Sequence, residues 1–294
     1  MRRAGSWTAA PRRYAGLCKA GLSLSAAASA LAAFLARSPR LTWEPALPWA
    51  GVFLLACGAC ALNQYQDRGL DAAMERTRDR PLPARLIPPA SALSLSLLLL
   101  GAGFCLLAAG GRLVLLLAAA AVAWYNGVYA FLKRISPYAA VPGAVAGALP
   151  LAIGWVWAGG GPAQAGLWVL CGFFFIWQIP HFWLIVLDHG REFTRAGLPS
   201  LSDVFTDTQI RRLVSQWVLG TAAFSLLLSL GGLIRTPPAR AVLVAMSLWL
   251  GVAAVRFGAG NPRSGAVLFR EMNVFMLAVV VLLCLDGVAA TLLR

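Results

Sequence analysis

Negative charge is what this 294-residue chain has least of: 12% of its residues are charged and only 11 are Asp or Glu. With 60% hydrophobic residues and a mean hydropathy of +0.73, it has too little polar surface to cover a soluble globule. Long polar stretches are missing as well, which excludes a separable soluble domain. Six cysteines, at 18, 57, 60, 105, 171 and 284, lie in or beside apolar runs. Cys57-x-x-Cys60 has metal or redox spacing, but no second Cys/His pair accompanies it. The plainer reading is small packing residues in a membrane helix, on the face that continues into Asn63 and Asp67.

What is abundant is apolar sequence in lengths that cross a bilayer, roughly 20 residues each. Nine such runs are expected, at about 17–36, 47–64, 89–109, 113–132, 138–158, 166–187, 213–234, 240–257 and 272–292. The fold class is therefore an all-α polytopic membrane protein, one transmembrane domain over 1–294 with a basic segment at 1–16. The net charge of +14 suggests nucleic acid, but its distribution does not. With the N-terminus inside, only Arg37, Arg40, Arg112, Arg235, Arg240 and Arg294 fall outside. That bias is the positive-inside rule for an N-in, C-out chain, and it puts every motif below on the cytoplasmic side of the cell inner membrane. No cleavable signal peptide is expected, because the basic start runs into a span without a cleavage site.

Four of the scarce acids, Asp67, Asp71, Glu75 and Asp79, crowd into residues 63–82 at the end of the second run, read as the first large inner loop. Asn63, Asp67 and Asp71 are spaced i, i+4, i+8, which puts three oxygen donors on one helical face. Such a stripe suits Mg2+, a hard cation that completes its shell with phosphate oxygens and water. Arg76, Arg78 and Arg80 follow, and guanidinium forks match phosphate oxygens. The bland alternative is a solvated acidic–basic loop held by i, i+4 pairs.

The pattern N-x-x-x-D-x-x-x-D followed by R-T-x-x-R-P-L resembles the first aspartate-rich motif of the UbiA-type intramembrane prenyltransferases. The resemblance implies a nine-helix bundle whose cytoplasmic loops cap the site, with Mg2+ and an isoprenoid diphosphate bound at this motif. Span four ends in Tyr125-x-x-x-Tyr129-x-x-x-Lys133-Arg134. Taken alone this is an aromatic belt with snorkelling cations; Tyr129, Lys133 and Arg134 also resemble the element with which the family holds the donor diphosphate.

Span five, with Pro142, Gly143, Gly147 and Pro150, reads as a kinked helix with a glycine face for close helix contact. Span six carries Trp177-Gln178-Ile179-Pro180-His181-Phe182. Polar residues inside a membrane are functional candidates by default, although a lone buried histidine can be a packing residue. Both spans resemble the heme O synthase branch of the family, which implies acceptor contacts from Trp177, Gln178 and His181. Asp188 and Glu192 then repeat the i, i+4 acid spacing of Asp67 and Asp71, so two acidic clusters are expected to face each other across the bundle mouth. The chain departs from that branch at Arg191-Glu192-Phe193, where Lys-Asp-Tyr is usual, and at Ser200-Leu201-Ser202, where Met-Leu-Pro is usual.

The resemblance implies transfer of a farnesyl group from farnesyl diphosphate to a vinyl group of heme b. Asp67, Asp71, Lys133 and Arg134 would be catalytic. Arg76, Arg80, Tyr129, Lys133, Arg134 and Arg191 would hold diphosphate, and Asn63, Asp67, Asp71, Asp188 and Glu192 would hold Mg2+. Farnesyl diphosphate, heme b, the lipid bilayer and a heme A synthase or terminal oxidase assembly are the implied partners; no nucleic acid is among them. Two alternatives stay open. A prenyltransferase for a quinone precursor fits the first motif equally well but not spans five and six. A transporter or heme chaperone would need neither acidic cluster.

Overall fold

The computed structural model describes residues 10–38, 42–260 and 265–292, with the side chains of 188, 191 and 290–292 left aside. A short helix, α1 (Ala10–Leu17), precedes nine longer ones. These are α2 (Ala20–Arg37), α3 (Ala46–Ala73), α4 (Pro89–Ala108), α5 (Arg112–Leu132), α6 (Ala140–Trp157), α7 (Ala165–Arg195), α8 (Asp207–Leu230), α9 (Pro237–Gly258) and α10 (Gly265–Leu292). Among the described residues these nine are long and apolar enough to cross a membrane. They match the nine expected runs in order. The first part of the basic N-terminal segment lies outside the described residues.

Three boundaries differ from the sequence reading, each because polar residues remain helical. Helix α3 continues through Ala73, past the end expected near residue 64. Asn63, Asp67 and Asp71 thus share the helical face their spacing implies, although the stretch also reads as the start of an inner loop. Helix α8 begins at Asp207, capped by Thr206 and Gln209, which brings Arg211 and Arg212 onto a helix. Helix α10 begins at Gly265, so Arg270 and Glu271 lie within it. Helices α3 and α7 have 28 and 31 residues, or about 42 Å and 46 Å at 1.5 Å per residue, more than the ~30 Å of a hydrocarbon core. Their C-terminal ends carry the two acidic segments out of the apolar layer.

The two larger apolar cores among the described residues hold most of the bundle. One packs Val52, Leu55, Leu100, Leu107, Val114 and Ile153, from α3 to α6. The other packs Leu170, Phe173, Val218, Leu250, Met272 and Phe275, from α7 to α10. Helix α2 touches both groups, lying against α3, α6 and α10. At Gly154 a Cβ would stand 1.9 Å from the Ala30 carbonyl oxygen, so only glycine lets α6 approach α2 this closely.

At the bundle end away from the acids, Asp286 of α10 is buried and accepts from the backbone N–H of Arg235 at 2.6 Å and of Thr236 at 2.9 Å. The Arg235 guanidinium donates to the Ala36 carbonyl at the end of α2. Nothing in the sequence reading had singled out Asp286.

Candidate functional site

The face of α3 that carries Asn63, Asp67 and Asp71 is buried, as the four-residue spacing leads one to expect. Each acid meets cations from another segment. Lys133 and Arg134, at the end of α5, both reach Asp67, the guanidinium at 3.2 Å from Oδ1. Asn63 Nδ2 donates to Asp67 Oδ2 at 2.9 Å. Arg80 donates through Nη1 to Asp71 Oδ1 and Oδ2 at 2.8 and 2.9 Å. The loop that brings Arg80 back is held by the Thr77 hydroxyl on the Asp71 carbonyl at 2.9 Å, with Leu82 and Ile87 buried beneath it.

Arg76 sits between the two acidic segments, within electrostatic reach of Asp71, Glu192, Arg80 and Tyr129. Burial, seconded by Arg80, lowers its pKa from the usual arginine value. Its guanidinium lies 5.9 Å from the centre of the Phe193 ring.

Helix α5 reaches Asp67 in the right register because it widens into a π-helical stretch over Ala123–Tyr129. Asn126 fixes that stretch to α3: its Nδ2 donates to the Ala59 carbonyl at 2.9 Å and to Gln66 Oε1 at 3.2 Å. Gln66 Nε2 returns a hydrogen bond to the Asn126 carbonyl at 2.9 Å. From the same stretch rises a ladder of rings. Tyr125 stacks on Tyr129 at 5.9 Å between centroids, and Tyr129 on Phe182 of α7 at 6.5 Å. Gly143 makes room, since a Cβ there would stand 2.6 Å from the Tyr129 ring.

Phe182 meets His181 edge-on at 5.9 Å, and the imidazole lies between Trp177 at 4.7 Å and Phe269 at 4.4 Å. Among the described residues His181 Nδ1 is buried without a hydrogen-bond partner. Trp177 Nε1 donates to the Met272 carbonyl at 3.1 Å, so its indole serves to hold α10. Gln178 lies over Gly147, where a Cβ would come within 1.9 Å of its amide nitrogen.

The side chains of Asp188 and Arg191, expected at the metal and the diphosphate, lie outside the described set. Glu192 is described, and its buried Oε2 has no partner among the described residues. Beyond α7 the chain folds back onto the helix. Ser200 accepts from Ser202 N at 3.4 Å, Asp203 accepts from Ser200 N at 2.8 Å, and Thr194 donates to Asp203 at 2.9 Å. Ser202 packs on Gly190, whose absent side chain leaves it space. Where proline is usual, hydrogen bonds fix this loop instead.

Among the described residues no three His, Cys, Asp or Glu side chains converge as a ready-made metal site. The structure brings together Asn63, Asp67, Asp71, Arg76, Arg80, Tyr129, Lys133 and Arg134 at one end of the bundle. Trp177, Gln178 and His181 form a second group joined to it through Phe182. The sequence reading missed Gln66, Asn126 and the part played by Lys19, whose Nζ donates to Asn63 Oδ1 at 3.2 Å.

Residues 23–279 match the model of the UbiA prenyltransferase family. The chain belongs to the UbiA prenyltransferase family. Within it, the chain is similar to a protoheme IX farnesyltransferase of Geobacter sulfurreducens, 43% identical over 226 residues, covering 77% of this chain and 81% of that relative. Solved UbiA-type structures share the fold at low identity. A digeranylgeranylglyceryl phosphate synthase superposes with a TM-score of 0.75 at 15% identity, covering 95% of this chain and 99% of that one. A UbiA homologue from Archaeoglobus fulgidus bound to GPP and Mg2+ gives 0.65 at 13% identity, covering 94% and 98%. The nine helices are thus those of a multi-pass membrane prenyltransferase.

Proposed function

We propose that the chain transfers the farnesyl group of farnesyl diphosphate to a vinyl group of protoheme IX, with addition of water, giving heme O. The observation that carries this reading is the ring ladder. It joins a buried cluster of carboxylates and cations to a histidine with a nitrogen unengaged among the described residues, as a two-substrate site requires. The similarity to protoheme IX farnesyltransferases supports the same acceptor.

The donor set fits Mg2+. Asn63, Asp67 and Asp71 offer hard oxygen ligands, and the buried Oε2 of Glu192, without a partner among the described residues, offers another from α7. Asp188 would join them by its place one helical turn before Glu192. When bound, Mg2+ would neutralise the diphosphate and stabilise it as a leaving group. The chain's own residues do the rest. Lys133, Arg134 and Arg80 exchange carboxylate partners for phosphate oxygens, and Arg76, Tyr129 and Arg191 complete the hold. These donors stabilise the charge that develops as the C–O bond breaks.

The faces of Tyr125, Tyr129 and Phe182 line the way from the diphosphate to His181. Their ring quadrupoles favour an allylic cation and keep water from it until the vinyl carbon has attacked. His181, with Trp177 and Gln178, holds the heme. The bias of basic residues supports a cytoplasmic N-terminus and a cytoplasm-facing site in the cell inner membrane, with a heme A synthase or terminal oxidase assembly downstream.

The test supplies membranes containing the protein with heme b, farnesyl diphosphate and Mg2+. Mass spectrometry should show heme enlarged by a hydroxylated farnesyl group. A prenylated benzoate or naphthoate beside unaltered heme would transfer the assignment to a quinone-precursor enzyme.

A further inference from the structure

Lys19 is placed in a way that packing alone does not account for. Its backbone is left-handed, φ 45° and ψ 54°, and among the described residues only Arg85 shares a positive φ without being glycine. Side chains with a Cβ avoid this region, so a lysine there is held against its preference.

The holding is visible. Gln64, buried beside Asn63 on α3, donates to the carbonyls of Gly16 at 2.8 Å and Leu17 at 2.9 Å. Ser23 donates to the carbonyl of Cys18 at 2.9 Å. Three consecutive carbonyls of the turn between α1 and α2 are thereby clamped, and the clamp directs Lys19 inward to Asn63 Oδ1 at 3.2 Å.

Charge completes the argument. The Lys19 ammonium lies within electrostatic range of Arg80, Lys133 and Asp71. Among the described residues it makes no ion pair, and its hydrogen bond goes to a neutral amide. Asp67 already faces Lys133 and Arg134, and Asp71 already faces Arg80. Among the described residues Lys19, Arg76, Arg80, Lys133 and Arg134 outnumber Asp67, Asp71 and Glu192, a surplus of positive charge that is costly to bury unless an anion shares the space. The surplus points to a polyanion with several acceptor oxygens.

We propose that Lys19 is a diphosphate-binding residue, delivered into the site from the turn before α2 by the Gln64 and Ser23 clamp. The proposal rests on the reading of this site as one for an isoprenoid diphosphate. Lys19 would give one charge-assisted hydrogen bond to the diphosphate in addition to those of Lys133 and Arg134, while its contact with Asn63 keeps it aimed.

The test uses the purified full-length protein in detergent, titrated with inorganic pyrophosphate at fixed Mg2+, with heme b binding and thermal unfolding measured alongside. Lys19→Met should weaken pyrophosphate binding by about tenfold or more, which corresponds to ~1.4 kcal/mol. Lys19→Arg should restore most of it. Lys19→Gly accepts the left-handed backbone without strain, so it should unfold no earlier than wild type and still lose pyrophosphate to the same extent. Heme b affinity should stay unchanged in all three. Pyrophosphate affinities of Lys19→Met and Lys19→Gly within twofold of wild type overturn the proposal. So does a change confined to the Mg2+ requirement, which would make Lys19 a positioning residue acting through Asn63. Failure of the wild type to bind pyrophosphate with Mg2+ would overturn both the proposal and the reading beneath it.

Discussion

At the scale of single residues, His181 is where packing and binding make opposite forecasts. Its ring is stacked between Trp177 and Phe269, yet Nδ1 engages no described group. His181→Ala removes a stacked ring and should cost about 1–3 kcal/mol in thermal unfolding. His181→Phe keeps the stack and should unfold near wild type. Both variants should bind heme b more weakly, with an altered absorption spectrum if the nitrogen ligates iron, while pyrophosphate binding persists. Wild-type heme binding by His181→Phe would reduce the residue to packing.

Asp67 gives a second forecast. Asp67→Asn leaves Lys133 and Arg134 without their carboxylate, but these side chains retain 18% and 39% exposure and can turn to water. The variant should therefore fold while farnesyl transfer falls by about a hundredfold or more. Full activity at ordinary Mg2+ would remove Asp67 from the mechanism.

At the scale of elements, two glycines of α6 make opposite demands. Gly154 meets the backbone of α2, which cannot yield, so Gly154→Ala should cost about 1–3 kcal/mol of stability. Gly147 meets the far end of the Gln178 side chain, which can swing away. Gly147→Ala should keep its unfolding temperature and raise the KM for heme severalfold, leaving that for farnesyl diphosphate unchanged. Equal effects on both substrates would show that Gln178 does not belong to the acceptor.

The sequence displayed Gly143 and Gly147 as a face for helix contact, whereas the structure gives the first to a tyrosine ring and the second to an amide. The motif was legible and its occupant was not. Spans and the Asn63–Asp67–Asp71 stripe could be read because periodicity is local. The continuation of α3 to Ala73 could not, since its polar composition matches a loop until Lys133, Arg134 and the 74–88 segment cover it. The Gln66–Asn126 staple and the clamp on Lys19 join segments far apart in sequence, and such pairings leave no periodic trace.

At the scale of the whole molecule, the site is a set of exchangeable ion pairs. Lys133 and Arg134 answer Asp67, and Arg80 answers Asp71. A metal ion arriving alone must displace cations, and a diphosphate arriving alone must draw Lys133, Arg134 and Arg80 away from their acids to engage more than Lys19; together they let these cations and acids swap partners. Calorimetry should accordingly find Mg2+ and pyrophosphate each bound about tenfold or more weakly alone than in the other's presence, a coupling of ordinary allosteric size. Independent binding of the two would mean that the pairs do not open on loading.

The contact of α2 with α10, and the grip of Asp286 on the two residues that lead into α9, set a schedule for biosynthesis. Helix α2 has its resting place on a helix synthesised more than two hundred residues later. Until α10 has left the ribosome and inserted, α2 keeps one flank to lipid and the start of α9 lacks its carboxylate cap. The ring of helices closes only when α10 docks on α2, so the barrier between a nascent chain and a working enzyme waits on that helix.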